Sequence, residues 1–305
     1  MASTAMAQTS RAETASTYID RGIKWFDDGK IDEAIADFDL AILSDPSFSG
    51  AWVDRGVARL TQGNLTGALS DLNRAIQLDP RRAETYVNRA QIWHLNHEWE
   101  KVIDDSNSAL DINPRLAAAW SNRGLARTMK GDLEGAISDL DQALKIDPRL
   151  AVALDNRAGV KYLKEDWDGA IRDASQAIKI DPSLVQAWSD RGAAEHARGN
   201  IDEALSDYSH ALELNANVAE VYFNRGMVWR KKGELVKAGA DFERTILLNP
   251  SWADAYAKRG LIRLELGDDA GARQDFDRCL ELNEGLKNSL ENLIKEVKGR
   301  QAGNQ

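Results

Sequence analysis

Arg21, Arg55, Arg89, Arg123, Arg157, Arg191, Arg225 and Arg259 stand 34 residues apart without a slip. All six prolines keep the same spacing, at Pro46, Pro80, Pro114, Pro148, Pro182 and Pro250, with Ala216 and Glu284 in the two remaining slots. No other property of the chain constrains its fold as much, because self-similarity at roughly 20–50 residues marks an array of one supersecondary unit. Eight units tile the chain without insertion, at 15–48, 49–82, 83–116, 117–150, 151–184, 185–218, 219–252 and 253–286.

Each unit reads as two helices. The first starts near an aromatic residue such as Tyr18, Trp52, Tyr86 or Trp120 and stops at a glycine such as Gly29, Gly63 or Gly131, a natural helix terminator. The second carries apolar residues four apart, as in Ile137, Leu140 and Leu144, and ends at Asp-Pro or Asn-Pro. Proline cannot continue a helix, and it pushes the preceding residue out of the helical region. Neither helix has enough apolar surface to be stable alone, so stability comes from stacking neighbours.

With positions counted from the first residue of each unit, there is an aromatic at 4, Gly at 8, Ala at 20, Phe, Leu or Tyr at 24, Ala at 27 and Pro at 32. This pattern resembles the tetratricopeptide repeat. The resemblance implies an all-α fold, a right-handed α-α superhelix of antiparallel helix pairs, closed by a C-terminal capping helix. Residues 287–300 supply that helix, with Leu290, Leu293, Ile294 and Val297 as its buried stripe. Residues 301–305 read as a flexible tail.

Two columns depart from the family pattern. Position 7, usually Leu, is Arg in all eight units, and position 23 is Asp in all eight, from Asp37 to Asp275. An unpaired buried charge is costly, so the spacing predicts Arg–Asp pairs between helices, within a repeat or across to the next. The nine tryptophans suggest stacking platforms, but bulk alternates between positions 4 and 11, as in Tyr18/Trp25 against Trp52/Arg59, which suits a packed core. In repeats 3 and 5 the turn glycine is replaced by His97 and Glu165, and Trp99 and Trp167 stand at position 17. Cys279 reads as a small buried residue. His94 and His97 lack a third metal ligand.

A net charge of −10 argues against a nucleic-acid partner. One cysteine forms no intrachain disulfide, and no apolar run is long enough to span a membrane. Residues 1–14 read either as a disordered tail or as the remnant of an export signal, with Ala5-Met6-Ala7 fitting a cleavage site. The expected location is cytoplasmic by default and exported if that remnant is real. No phosphate loop, nucleophile elbow or metal constellation is present, so the chain is expected to catalyse nothing and to need no cofactor or metal.

The resemblance places positions 2, 5, 6, 9, 12 and 13 of the first helices on a concave groove, and these vary while the packing slots do not. Position 6 reads Asp20, Asp54, Asn88, Asn122, Asn156, Asp190, Asn224 and Lys258. Its asparagines resemble the asparagine ladder in the repeat domain of the transferase that adds N-acetylglucosamine to Ser and Thr. Such amides offer both donor and acceptor to an extended backbone, though local capping or solvation explains them too. Repeats 1–3 add apolar residues, chiefly Ile19, Phe26 and Val57, with Ile23 and Val53 beside them. The groove is therefore expected to bind an extended or helical peptide segment of a protein partner. The alternative is self-assembly, with the groove or the apolar end covered by another copy. The clamp for heat-shock chaperone tails is not expected. Ser189, Ala193, Asn224, Asp254 and Lys258 stand in its slots and only Asn224 matches.

Overall fold

The computed structural model describes residues 2–303, with side chains over 14–299. Those residues form helices and short connections. The chain divides into two compact units, residues 1–156 and 157–305. The first contains α1 (Ala2–Asp27), α2 (Ile31–Ser44), α3 (Ser49–Thr61), α4 (Leu65–Leu78), α5 (Ala83–Leu95), α6 (Trp99–Ile112), α7 (Ala117–Met129) and α8 (Leu133–Ile146). The division falls inside α9 (Ala151–Leu163). The second unit continues with α10 (Trp167–Ile180), α11 (Val185–Arg198), α12 (Ile201–Leu214), α13 (Ala219–Lys232), α14 (Leu235–Leu248), α15 (Ala253–Glu265), α16 (Asp269–Leu282) and α17 (Lys287–Gly303).

Within each unit, a helix packs on its hairpin partner and on the first helix of the next repeat. The two helices of a hairpin approach closely because positions 8 and 24 are matched in volume. A Cβ on Gly22 would stand 2.5 Å from the Phe38 ring, and one on Gly226 would stand 2.9 Å from Phe242. In repeats 3 and 5, where position 24 is Ser106 or Ala174, position 8 is alanine (Ala90, Ala158). Interiors packed to crystal density leave little tolerance for a mismatch at such a contact.

Arg and Asp pair within every repeat. Nε and Nη2 of the position-7 arginine straddle the position-23 carboxylate, as in Arg123–Asp139 at 2.8 and 2.8 Å and Arg225–Asp241 at 2.8 and 2.8 Å. The same fork is present from Arg21–Asp37 to Arg259–Asp275. The third arm, Nη1, reaches back to position 25 of the preceding repeat: Arg55 to Asp39, Arg89 to Asn73, Arg123 to Asn107, Arg191 to Ser175 and Arg225 to Ser209. The pairs thus act both within and between repeats. Position 11 adds a third donor to the carboxylate, from Arg59, Trp93, Arg127, Lys161 or Arg263. At Trp93 an indole N–H serves the acceptor that a cation serves at Arg59, Arg127, Lys161 and Arg263. Repeat 6 is different: Glu195 occupies the slot and accepts from Asn200 instead.

The position-4 aromatics pack against these arginines, with guanidinium-to-ring distances of 4.6 Å at Trp120 and 4.9 Å at Trp188. Their polar tips donate to the carbonyl of the position-32 proline six residues earlier, Trp52 to Pro46 and Trp120 to Pro114 among them. Second helices stop at an Asp or Asn whose Oδ1 accepts the N–H two residues on. Asn215 does this even though alanine follows it, so the turn does not depend on proline. The first helices end at left-handed glycines, but His97 and Glu165 hold that conformation at φ 58° and 61°.

At the amino end, the backbone over 2–14 belongs to α1, where a disordered tail or signal remnant was one expectation. The side chains of Ala5, Met6 and Ala7 lie outside the described ones. At the other end, α17 buries Leu290 and Val297 to 3% exposure beside residues of α15 and α16. Residues 301–303 of the expected tail are in α17, and 304–305 lie outside the described residues. No helix among the described residues is long and apolar enough to cross a membrane.

Candidate protein-binding grooves

In the first unit α1, α3, α5 and α7 lie side by side. Their inner face holds a hollow of about 220 Å³ walled by Ile23, Phe26, Val53 and Val57, with Asp54, Arg82, Glu84 and Asn88 at its polar edge. Ile23 is 42% exposed and is the most open apolar surface there. Ile19, by contrast, is 8% exposed and packs with Ala41, Ile42 and Ala51. Asp20 is exposed. Burial pushes the Asp54 carboxyl above its ordinary range, and the Arg82 guanidinium pulls it back.

In the second unit a hollow of about 230 Å³ opens where Gly159 and Ala193 leave space. Tyr162, Asp190, His196, Tyr208 and Asn224 complete its lining. Burial raises the Asp190 carboxyl to about 6, against a hydrogen bond from the Gln186 amide at 2.6 Å that favours the ionised form. Burial, helped by Lys231, holds the His196 imidazole below its ordinary value. Tyr208 is 1% exposed and its phenol is raised by burial.

The position-6 asparagines are half-buried, not freely exposed as a ladder of solvent-facing amides would be. The Asn156 amide donates to Ser121 Oγ at 3.2 Å, and Asn122 Nδ2 is buried without a hydrogen-bond partner. Asn88 and Asn224 edge the two hollows. In repeats 7 and 8, Arg230 is tied to Glu265 at 2.5 Å, and Lys258 is half-buried with its ammonium lowered chiefly by burial. His94 and His97 lie against Trp99, with centroids 5.4 and 5.5 Å away. Among the described residues no group of three or more His, Cys, Asp or Glu is placed to hold a metal ion. Cys279 is fully buried.

The molecule is thus an α-α repeat protein, built of helical hairpins whose inner faces are hollowed. Residues 22–83, 117–150 and 253–285 match descriptions of the tetratricopeptide repeat, and 192–233 match the TPR repeat. The chain is a tetratricopeptide repeat protein. Proteins of this family generally mediate protein–protein interactions.

Among solved structures, the chain is similar in fold to one in the APC/C hetero-tetramer Cut9–Hcn1, with TM-score 0.75 and 13% identity. That match covers 91% of this chain and 54% of the other. A tetratricopeptide repeat protein from Parabacteroides merdae gives TM-score 0.62 and 18% identity, covering 88% of this chain and 99% of that one. MamA gives TM-score 0.49 and 27% identity, covering 54% of this chain and 96% of that one. No curated protein matches the chain in sequence.

Proposed function

We propose that the chain is a non-enzymatic scaffold that holds a segment of another protein against the inner faces of its first helices. The observation that carries this reading is the contrast between columns. Positions 7 and 23 repeat without change, while positions 5, 9 and 12 change from repeat to repeat and shape two hollows of similar volume and different lining. Packing explains the constant columns, whereas hollows of unlike chemistry suit side chains of unlike chemistry. A preformed groove on a rigid scaffold reduces the ordering cost of binding. Asn88 and Asn224 line the two hollows, which supports assigning their amides to a bound backbone.

A random-peptide display library panned on the full chain and on an Ile23→Glu/Asn88→Ala variant tests this. The expected result is a set of peptides enriched by the wild type and lost by the variant at unchanged helical melting. The absence of enrichment, together with a mass that rises with concentration in light scattering, would replace this reading with self-assembly.

A further inference from the structure

Position 9 of the repeats reads Ile23, Val57, Gln91, Leu125, Gly159, Ala193, Met227 and Leu261. The two smallest occupants are consecutive, and between them the wall of the second unit opens down to the buried ring of Tyr208. Asp190 stands in this opening. Gln186 occupies its Oδ1, while a Cβ on Gly159 would lie 3.5 Å from its Oδ2. Among the described residues no lysine or arginine pairs with Asp190. Lys231, near the hollow, acts on His196.

A carboxylate withdrawn from water without a counter-charge is unfavourable, and a cation brought to it recovers much of that cost. The other lining groups add acceptors: the Asn224 carbonyl oxygen, the Tyr162 hydroxyl and, with its imidazole held below its ordinary value, a ring nitrogen of His196. We propose that this hollow receives a lysine side chain of the bound polypeptide, its ammonium pairing with Asp190 and its alkyl stem lying along Tyr162. Acceptors contributed by α9, α11 and α13 surround the opening, which suits three donors radiating from one nitrogen better than the flat fork of a guanidinium. This inference rests on the groove reading above and names the chemistry one part of the groove selects.

The test pans the same library on the wild-type chain, on Asp190→Asn and on Gly159→Leu. Leucine already stands at this position in Leu125 and Leu261, so Gly159→Leu fills the hollow while keeping the helix, and thermal melts verify that both variants are folded. The wild type is expected to enrich peptides with lysine at one fixed place. A synthetic consensus peptide should bind each variant about 10- to 100-fold more weakly, as expected for a lost charge-assisted hydrogen bond. Exchanging its lysine for norleucine should weaken binding to the wild type by a similar factor. Arginine in the fixed place, no fixed basic residue, or equal affinity for Asp190→Asn would overturn the lysine assignment and leave the groove reading standing. No enrichment by any form of the chain would overturn both.

Discussion

The two units carry the same framework and opposite solutions to one problem, a carboxylate at position 6 on the inner face. In the first unit Asp54 sits at the edge of an apolar hollow with the Arg82 guanidinium opposing its burial. Arg82 occupies position 34, which is otherwise apolar from Phe48 to Leu286. In the second unit Asp190 has a neutral amide for company and an empty position 9 beside it. One hollow is apolar with an arginine opposing the burial of its carboxylate, and the other is polar with a carboxylate that no lysine or arginine pairs among the described residues. The difference arises from a handful of side chains on an unchanged backbone, which is how a repeat scaffold separates stability from recognition.

The framework itself offers the largest test of that separation. Asp139→Ala takes the carboxylate from the partly buried guanidinium of Arg123 and the closer of two carboxylates from Arg127, which keeps Asp132 at 3.7 Å, whereas Asp207→Ala affects only Arg191. Breaking such a buried pair costs about 3–5 kcal/mol. Urea unfolding should place the first variant at the upper end and the second at the lower. Arg123→Met/Asp139→Leu should recover the share of the loss that comes from Arg123 and leave the share that comes from Arg127, since the pair's absence is milder than half of it. Equal losses at Asp139 and Asp207 would mean that position 11 contributes nothing.

The groove carboxylates give the next effect. Asp190 binds its proton more tightly in the folded chain, at about 6, than at the ordinary value of 3.8. Its ionisation therefore opposes folding fully above pH 6, less as pH falls from 6 to 3.8, and not below that window. Asp190→Asn should stabilise the chain by about 1–2 kcal/mol at pH 7.5 after solvent screening, with the gain narrowing by pH 4.5. His196, Tyr162 and Tyr208 face the same hollow, so the Asp190 titration itself should be followed by carboxyl carbon NMR. In the first unit, Arg82→Leu should raise the Asp54 carboxyl further, making Asp54 resemble Asp190. An unmoved Asp54 would break the comparison.

The turns give the smallest effect. Glu165 and His97 occupy left-handed backbone, which costs a side-chain-bearing residue about 1–2 kcal/mol. Glu165→Gly should raise stability by about 1 kcal/mol. His97→Gly should gain less, because it also removes the imidazole lying on Trp99. Paired thermal melts at fixed pH would show the order.

The constant columns make most of the framework legible in the sequence. The constant Arg and Asp columns sufficed to predict their pairing, because an uncompensated charge in a packing slot has few alternatives. The reach of each arginine to the preceding repeat was harder to see. Position 25 holds Asp39, Asn73, Asn107, Ser175 and Ser209, a column that varies in residue type and is uniform only in hydrogen-bond acceptance. Matching positions 8 and 24 by volume would have found the Gly22–Phe38 contact in the same way. The hollow at Asp190 leaves no such signature, since a missing side chain at Gly159 gains meaning only once its neighbours are in place. The burial of Ile19 is not legible in the sequence, because periodicity along a helix does not tell how far Ala41, Ile42 and Ala51 cover it.

The arginine that grips its own repeat and the one before it also bears on how such a chain lengthens. A copied segment of 34 residues brings a donor for the hairpin upstream and an acceptor for the hairpin downstream. Each insertion therefore arrives with both halves of its joint, and no new residue has to be invented at either seam. Side chains on the inner face can then diverge from copy to copy, as at Gly159 in repeat 5 and Asp190 in repeat 6, while the joint stays interchangeable.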